Sequence, residues 1–461
     1  MKLTARWALA SLCLVSAAAC ATAPEAESQS ANAEPYASTY APLPYHPVLI
    51  RNATVIDGAG GEQANADILF QDGEIVGVGP NLAAPEGAEV IDGTGRFVTP
   101  GIIDAHSHLG VYPSPAIEAN SDGNEATDPN TAQVWAEHSV WPMDPGFSRA
   151  VAGGVTTLHI LPGSANLFGG RGVTVHPVLG ARTVREMKFP DAPQSLKMAC
   201  GENPSRVYGG NDQFPSTDMA NVAGWRQAWI NAEQYRREWD AYNESGEGDP
   251  PDRDLQMDTL ADVLRGNIIV QWHCYRADQM ATAIAISQEF DFQIAAFHHA
   301  VEAYKIPDLL AEADACAAVW ADWWGFKIEA YDSINENLPF VDAGGACGLI
   351  HSDSEVGIQR LNQEVAKTWA DARRAGLDIS RAEAWTWLTQ NPARALRIEE
   401  ETGTLEAGKN ADVVLWSEDP FSTYAVAERV YIDGALVYQR GAPRAPDSDF
   451  EFGQTYQERG Q

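Results

Sequence analysis

Apolar and polar positions alternate with two different periods along the chain, and the changes of period mark its parts. Over residues 48–91, short apolar runs at 48–56, 66–70, 74–78 and 88–91 are separated by Asp57-Gly58, Asp72-Gly73 and Asp92-Gly93. Two-residue alternation broken by Asp-Gly pairs predicts an antiparallel β module, because these residues accept the left-handed backbone of tight hairpins. The same texture returns at 403–416 and 429–438, so one small β-domain is expected to draw on both ends. Between those ends, strand-like runs at 101–105, 156–161, 195–200, 267–273, 292–297, 317–320 and 348–351 alternate with segments of helical spacing. The longest helical stretch is 214–266, with Trp225, Trp229 and residues 255–264 at roughly helical intervals. Regular alternation of this kind predicts parallel strands covered by crossover helices. The expected class is α/β, a (β/α)8 TIM-type barrel with a small β-sandwich domain assembled from both termini.

A chain of 461 residues accommodates such a barrel and one smaller module. The β-domain is expected at 47–98 and 401–445, the barrel at 99–400, and a tail at 446–461. Residues 1–20 have the form of an export signal, with Lys2 and Arg6, an apolar run at 7–15 and small residues before Cys20. The segment resembles a bacterial lipoprotein signal, in which that cysteine is lipidated; ordinary cleavage in the Ala-rich stretch is the competing reading. The expected location is the periplasm or the outer membrane of a Gram-negative bacterium, with membrane contact only through an N-terminal lipid anchor. Residues 21–46, rich in Ala, Glu, Ser and Pro, predict a disordered tether. No later run reaches the ~18 apolar residues that a membrane span requires.

Composition narrows the partners. The chain carries 64 Asp and Glu against 31 Lys and Arg, a net charge of −33, which argues against nucleic acid and anionic membrane surfaces. A small-molecule substrate is the expected partner, and a homo-oligomer is compatible with the sequence. Cys200, Cys274, Cys316 and Cys347 are scattered without CxxC spacing and are expected as free buried thiols.

The chemistry starts at His106-Ser-His108, where the apolar run 101–105 ends. Side chains two apart on a strand share a face, so both imidazoles point inward at the strand's C-terminal end, where barrel enzymes hold their active sites. Lys197, His273, His299 and Asp353 stand near the ends of later strand-like runs. Each is a metal-ligand type or convertible to one, and a barrel converges such ends on one point.

Taken together, Pro100-Gly-Ile-Ile-Asp-Ala-His-Ser-His108, Leu196-Lys-Met-Ala-Cys-Gly-Glu-Asn-Pro204, His273-Cys-Tyr-Arg-Ala-Asp278, His299-Ala-Val-Glu-Ala-Tyr-Lys305 and Ser352-Asp353 resemble an amidohydrolase-superfamily metallohydrolase. Asn391-Pro-Ala-Arg-Ala-Leu396 and residues 403–412 extend the match, which covers about residues 48–440. The nearest branch is that of imidazolonepropionase-like enzymes and metal-dependent dipeptidases. The resemblance implies an inner divalent ion on His106, His108 and Asp353 and a second on His273 and His299. Two Zn2+ ions are expected, with Mn2+, Fe2+ or Co2+ as substitutes. The bridge between them is a carbamylated Lys197 or, alternatively, Glu202. The implied reaction is hydrolysis of an amide or cyclic-amide C–N bond, in a dipeptide or an imidazolone- or lactam-like substrate, by a metal-activated hydroxide. Asp353 is its proton carrier, since an ionised carboxylate is an acceptor that takes and returns a proton. A catalytically inactive barrel serving as a cell-surface binding protein is the alternative, as is a deaminase or lactonase of the same superfamily.

Weaker expectations attach to other residues. Tyr275, Arg276, Arg206 and Tyr208 are candidates for substrate contact, with Arg171 a further candidate for a substrate carboxylate. His351, two residues before Asp353, is either a support for the ligands or a core histidine. His298 is expected to face away from its neighbour His299, and His159 and His176 to be structural. Residues 168–172, Phe-Gly-Gly-Arg-Gly, are expected as a tight loop near the barrel mouth.

Overall fold

A computed structural model describes residues 35–114 and 116–442. The signal-like segment, the tether up to residue 34 and the tail 446–461 lie outside the described residues. Strands β1 (Val48–Ile56), β2 (Glu62–Gln71), β3 (Glu74–Gly79), β4 (Glu89–Asp92) and β5 (Phe97–Pro100) open the chain. Asp72 and Gly73 join β2 to β3 with φ of 55° and 87°, the double left-handed step that an Asp-Gly hairpin supplies. The barrel strands follow: β6 (Ile102–Ser107), β7 (Val155–Ile160), β8 (Phe168–Val175), β9 (Gln194–Ala199), β10 (Ile268–His273), β11 (Ile294–His298), β12 (Cys316–Val319) and β13 (Gly348–Ile350). The chain then returns through β14 (Val413–Trp416), β15 (Ala427–Ile432) and β16 (Ala435–Gln439).

The two ends do build one module, as the recurring texture predicts, but its pairing is that of a single sheet and not of a sandwich. Its order is β16-β15-β14-β5-β1-β2-β3, with β4 also beside β1. The cause is β5, which pairs with β1 on one side and antiparallel with β14 on the other. Val48, Ile50, Phe70, Val98, Val413 and Tyr431, from both ends of the chain, share one apolar core.

The barrel departs from the expected eightfold βα repeat. Strands β9 to β13 run parallel and β6 pairs parallel with β7, whereas β8 is antiparallel to both of its neighbours. A parallel neighbour needs a crossover of a dozen or more residues, while an antiparallel one needs only a short turn, and residues 161–167 provide that turn. The Gly-rich stretch 168–172 is therefore strand and not the expected loop. Its glycines serve close approach, since side chains at 170 and 172 would collide with Val134 and Ser195.

Among the described residues no ladder joins β6 to β13. The seam is closed instead by residues just past β13. Ser352 donates its backbone N–H to Asp104 Oδ1 at 3.1 Å and its hydroxyl to Oδ2, and Asp353 N–H donates to His106 O at 3.1 Å. Asp104 is fully buried, and burial raises its pKa to about 6. This closure brings Asp353 beside the His106-Ser-His108 end of β6.

Two further expectations are corrected. The end of the tether region is bound to both the barrel and the β module: Ser38 Oγ donates to Lys188 O at 2.7 Å and Thr39 N–H to Arg185 O at 2.8 Å, while Tyr40 OH donates to Asp433 Oδ2, between β15 and β16, at 2.7 Å. The four cysteines form two disulfides, Cys200–Cys274 and Cys316–Cys347, with Cα–Cα distances of 5.4 and 4.4 Å. Each joins neighbouring barrel strands, a proximity that their sequence separations of 74 and 31 conceal. No helix among the described residues is long and apolar enough to cross a membrane.

Candidate metal centre

The end of β6 aims His106 and His108 at one point, with their Nε2 atoms 3.3 Å apart. Asp353 Oδ1 lies 3.5 Å from the first and 3.2 Å from the second. Asp353 reaches that position from a left-handed backbone, φ 47°, held by its bond to His106 O. His108 Nδ1 lies 2.8 Å from Leu161 O, which can only accept, so this nitrogen carries the proton and the Nε2 of the neutral ring is bare. In that form a lone pair and a carboxylate oxygen are aimed at one point, an arrangement that a cation would satisfy. Ligands about 2.0–2.1 Å from a tetrahedral ion stand roughly 3.3 Å apart, which the three atoms match.

Lys197, fully buried on β9, places Nζ 3.4 Å from His106 Nε2. Burial lowers its pKa to about 7, against the opposing pull of Asp353. His299 turns inward from a left-handed backbone, φ 58°, and puts Nδ1 3.7 Å from Asp353 Oδ2 and 2.8 Å from His351 Nε2. The His273 ring is centred 5.0 Å from that of His299, and among the described residues neither of its nitrogens has a hydrogen-bond partner. A buried imidazole left unsatisfied on both sides is costly, and a metal ion is a fitting partner. Burial holds the pKa values of His106, His273 and His299 well below the ordinary histidine range, which keeps the rings neutral and their lone pairs available. Two sets of potential ligand atoms, His106–His108–Asp353 and His106–His299–His351, each fall within 4.8 Å of one another. His351 therefore lies within ligand range, not only behind the ligands.

The other candidates disperse. Glu202 joins neither set; its carboxylate is 3.1 Å from Lys327 Nζ, while its backbone N–H is capped by Glu329. Tyr208 OH donates to Asp128 O at 2.7 Å, Arg276 pairs with Asp278 at 2.9 Å, and Arg206 is exposed on the helix Glu202–Gly209. Arg171 is buried, donating to Thr259 Oγ1 at 2.9 Å and lying over the Trp135 ring. Tyr275 does border the centre, its ring 4.5 Å from that of His273. Beside it Trp320 stacks on His299 at 4.5 Å, and Trp323 and Phe326 extend this wall to solvent, 48% and 52% exposed. Lys327 lies 4.2 Å above the Tyr275 ring. His298, expected to face away, instead points inward between His106 and Gln271, and sequence reasoning gave no role to Gln271, Asp104 or Ser352. Asp104 and Gln271 each precede a predicted ligand by two residues on the same strand face, which is the signal that marks them.

With this geometry in place, known proteins give a consistent picture. A model of the amidohydrolase family matches residues 358–438. The chain is 34% identical over 429 residues to amidohydrolase tasK of Hapsidospora irregularis, covering 85% of this chain and 43% of that protein. It is 27% identical over 395 residues to an imidazolonepropionase of Mesorhizobium japonicum, covering 79% and 90% respectively. The solved structure of an amidohydrolase from Thermotoga maritima MSB8 superposes with a TM-score of 0.78 at 37% identity, over 85% of this chain and all of that one. The chain belongs to the amidohydrolase family. It spans less than half the length of tasK.

Proposed function

We propose that the protein is a metal-dependent hydrolase cleaving an amide or cyclic-amide C–N bond of a small substrate, such as a dipeptide or an imidazolone- or lactam-like ring. The observation that carries this reading is the convergence of His106, His108, His299 and Asp353 at the barrel mouth, with the unsatisfied His273 beside them. His106, His108 and Asp353 would hold one divalent ion and His273 and His299 a second, with Lys197 between them. Such ions supply Lewis-acid activation of water and of a carbonyl near neutral pH. Asp353, its side chain 21% exposed, accepts the proton of the attacking water and returns it to the leaving nitrogen. The water oxygen bonds to the carbonyl carbon, the C–N bond breaks, and a carboxylate and an amine result. The wall of Tyr275, Trp320, Trp323 and Phe326 favours a substrate whose non-reacting part is flat and apolar.

We also infer export to the periplasm or outer membrane, with Cys20 as the anchor. Two disulfides support an oxidising compartment, and the charge of −33 supports a small-molecule partner over nucleic acid.

The test is a screen of zinc- or manganese-loaded protein, freed of residues 1–20, against dipeptides and cyclic amides. Amine release is expected from at least one group, with Asp353→Asn lowering turnover by about 10²-fold or more while the fold persists. Near-native turnover in that variant would remove Asp353 from its role, and less than one bound ion per chain would refute the metal reading. Release of ammonia or of an alcohol would point to a deaminase or lactonase. A bound ion without turnover of any substrate would favour a binding protein.

A further inference from the structure

We infer that Gln271 and His298 form a hydrogen-bond relay that fixes which nitrogen of His106 is bare, and so set the affinity of the inner metal position. The inference rests on the metal reading above. Gln271 stands two residues before His273 on the same inward face of β10. His298 ends β11, also facing inward; the left-handed backbone at His299 lets the next side chain turn inward as well, which strand alternation alone would forbid.

The logic of the relay starts at a backbone carbonyl. Ala395 O lies in the last turn of the helix Gln390–Leu396, where carbonyls lack helical partners. It accepts from Gln271 Nε2 at 2.9 Å, and because a carbonyl can only accept, the amide orientation is fixed. Gln271 Oε1 then faces His298 Nε2 at 2.7 Å, so that nitrogen carries the proton. His298 is fully buried and has no carboxylate among its hydrogen-bond partners, so the ring is neutral and its Nδ1 is a lone pair. His298 Nδ1 stands 2.9 Å from His106 Nδ1, which must supply the hydrogen. What remains on His106 is a bare Nε2, aimed at His108 Nε2, Asp353 Oδ1 and Lys197 Nζ at 3.3, 3.5 and 3.4 Å. Leu161 O performs the same service for His108 with one bond. Gln271 and His298 are thus positioning residues, acting on the metal through His106.

The experiment compares His298→Leu, His298→Asn and Gln271→Leu with the native chain. Zn2+ affinity is measured by chelator competition, and the Co2+ absorption spectrum and the thermal midpoint of the metal-free protein are recorded alongside. Leucine keeps much of the volume without an acceptor, whereas asparagine restores an acceptor at the Nδ1 position. His298→Leu is expected to weaken binding by about 10- to 100-fold and to alter the Co2+ spectrum, and Gln271→Leu to weaken it by about tenfold. His298→Asn is expected to stay close to native. Native affinity in His298→Leu overturns the relay, as does an Asn variant that falls as far as the Leu variant, since that pattern marks packing alone. Should His298→Leu not fold, native affinity in Gln271→Leu overturns it instead. A native chain that binds no ion refutes the metal reading and the relay together; native binding with unaffected variants refutes only the relay.

Discussion

Lys197 shows at the scale of one residue how burial creates chemistry. Its ammonium would be shut among imidazoles, and among the described residues no carboxylate lies within ion-pair distance. An unpaired buried charge costs several kcal/mol, and the side chain responds by losing its proton near pH 7. A free amine can form a bond to the carbon of CO2, releasing a proton and leaving an anionic carbamate able to bridge two cations. Glu202 already carries a carboxylate, but it is paired with Lys327 Nζ at 3.1 Å and joins neither set of converging ligand atoms. In bicarbonate buffer, Lys197→Met is therefore expected to bind about one ion fewer per chain, while Glu202→Gln keeps the native count. Elemental analysis of the two variants decides, and the opposite pattern would move the bridge to Glu202.

At the scale of elements, the segment after β12 supplies the aromatic wall. Trp323 and Phe326 are half-exposed, so removing them leaves no core cavity. The double variant Trp323→Ala and Phe326→Ala is expected to unfold near the native temperature. It should raise KM about tenfold for an aromatic substrate, with a smaller change in kcat; an unchanged KM in steady-state assays would separate the wall from the substrate. At the other end of the barrel Asp412, just before β14, accepts from Thr402 Oγ1 at 2.7 Å and from Asp433 N–H at 3.1 Å. Burial, then the neighbouring Asp433, raises its pKa. The folded chain thus keeps this proton to a higher pH than the unfolded chain. The stability it contributes is complete below the ordinary carboxylate range and is lost as pH rises through the raised value. Asp412→Asn is expected to stabilise the protein by about 1–3 kcal/mol at pH 7 and to change little at pH 4, read by denaturant melts. Elements were legible where one pattern dominates. The Asp-Gly turns and the inward histidines at the end of β6 follow from local rules, whereas β8 carries three glycines in five residues and reads as a loop, because only its contacts with Val134 and Ser195 require them.

For the whole molecule, what the sequence left hidden is long-range. His298 was expected to face away because strict alternation says so, and only the left-handed turn at His299 reverses that. The cysteine pairs and the Asp104–Ser352 contact depend on which strands become neighbours, and no spacing rule encodes this. The seam between β6 and β13 gives that closure a functional consequence. Of the residues proposed to hold the inner ion, His106 lies on the first barrel strand and His108 just past its end, while Asp353 lies just beyond the last strand. An ion held there ties the two margins of the barrel together across a gap with no ladder. Binding to the folded state alone stabilises by about 4 kcal/mol at a thousandfold excess over the dissociation constant. Chelation is therefore expected to lower the thermal midpoint by several degrees and to act unevenly. Hydrogen exchange should rise most in peptides covering 102–107 and 348–353, with the sheet built by β1, β5 and β14 little changed. Equal loss of protection in that sheet would show that the ion stabilises the fold globally and does not latch the seam.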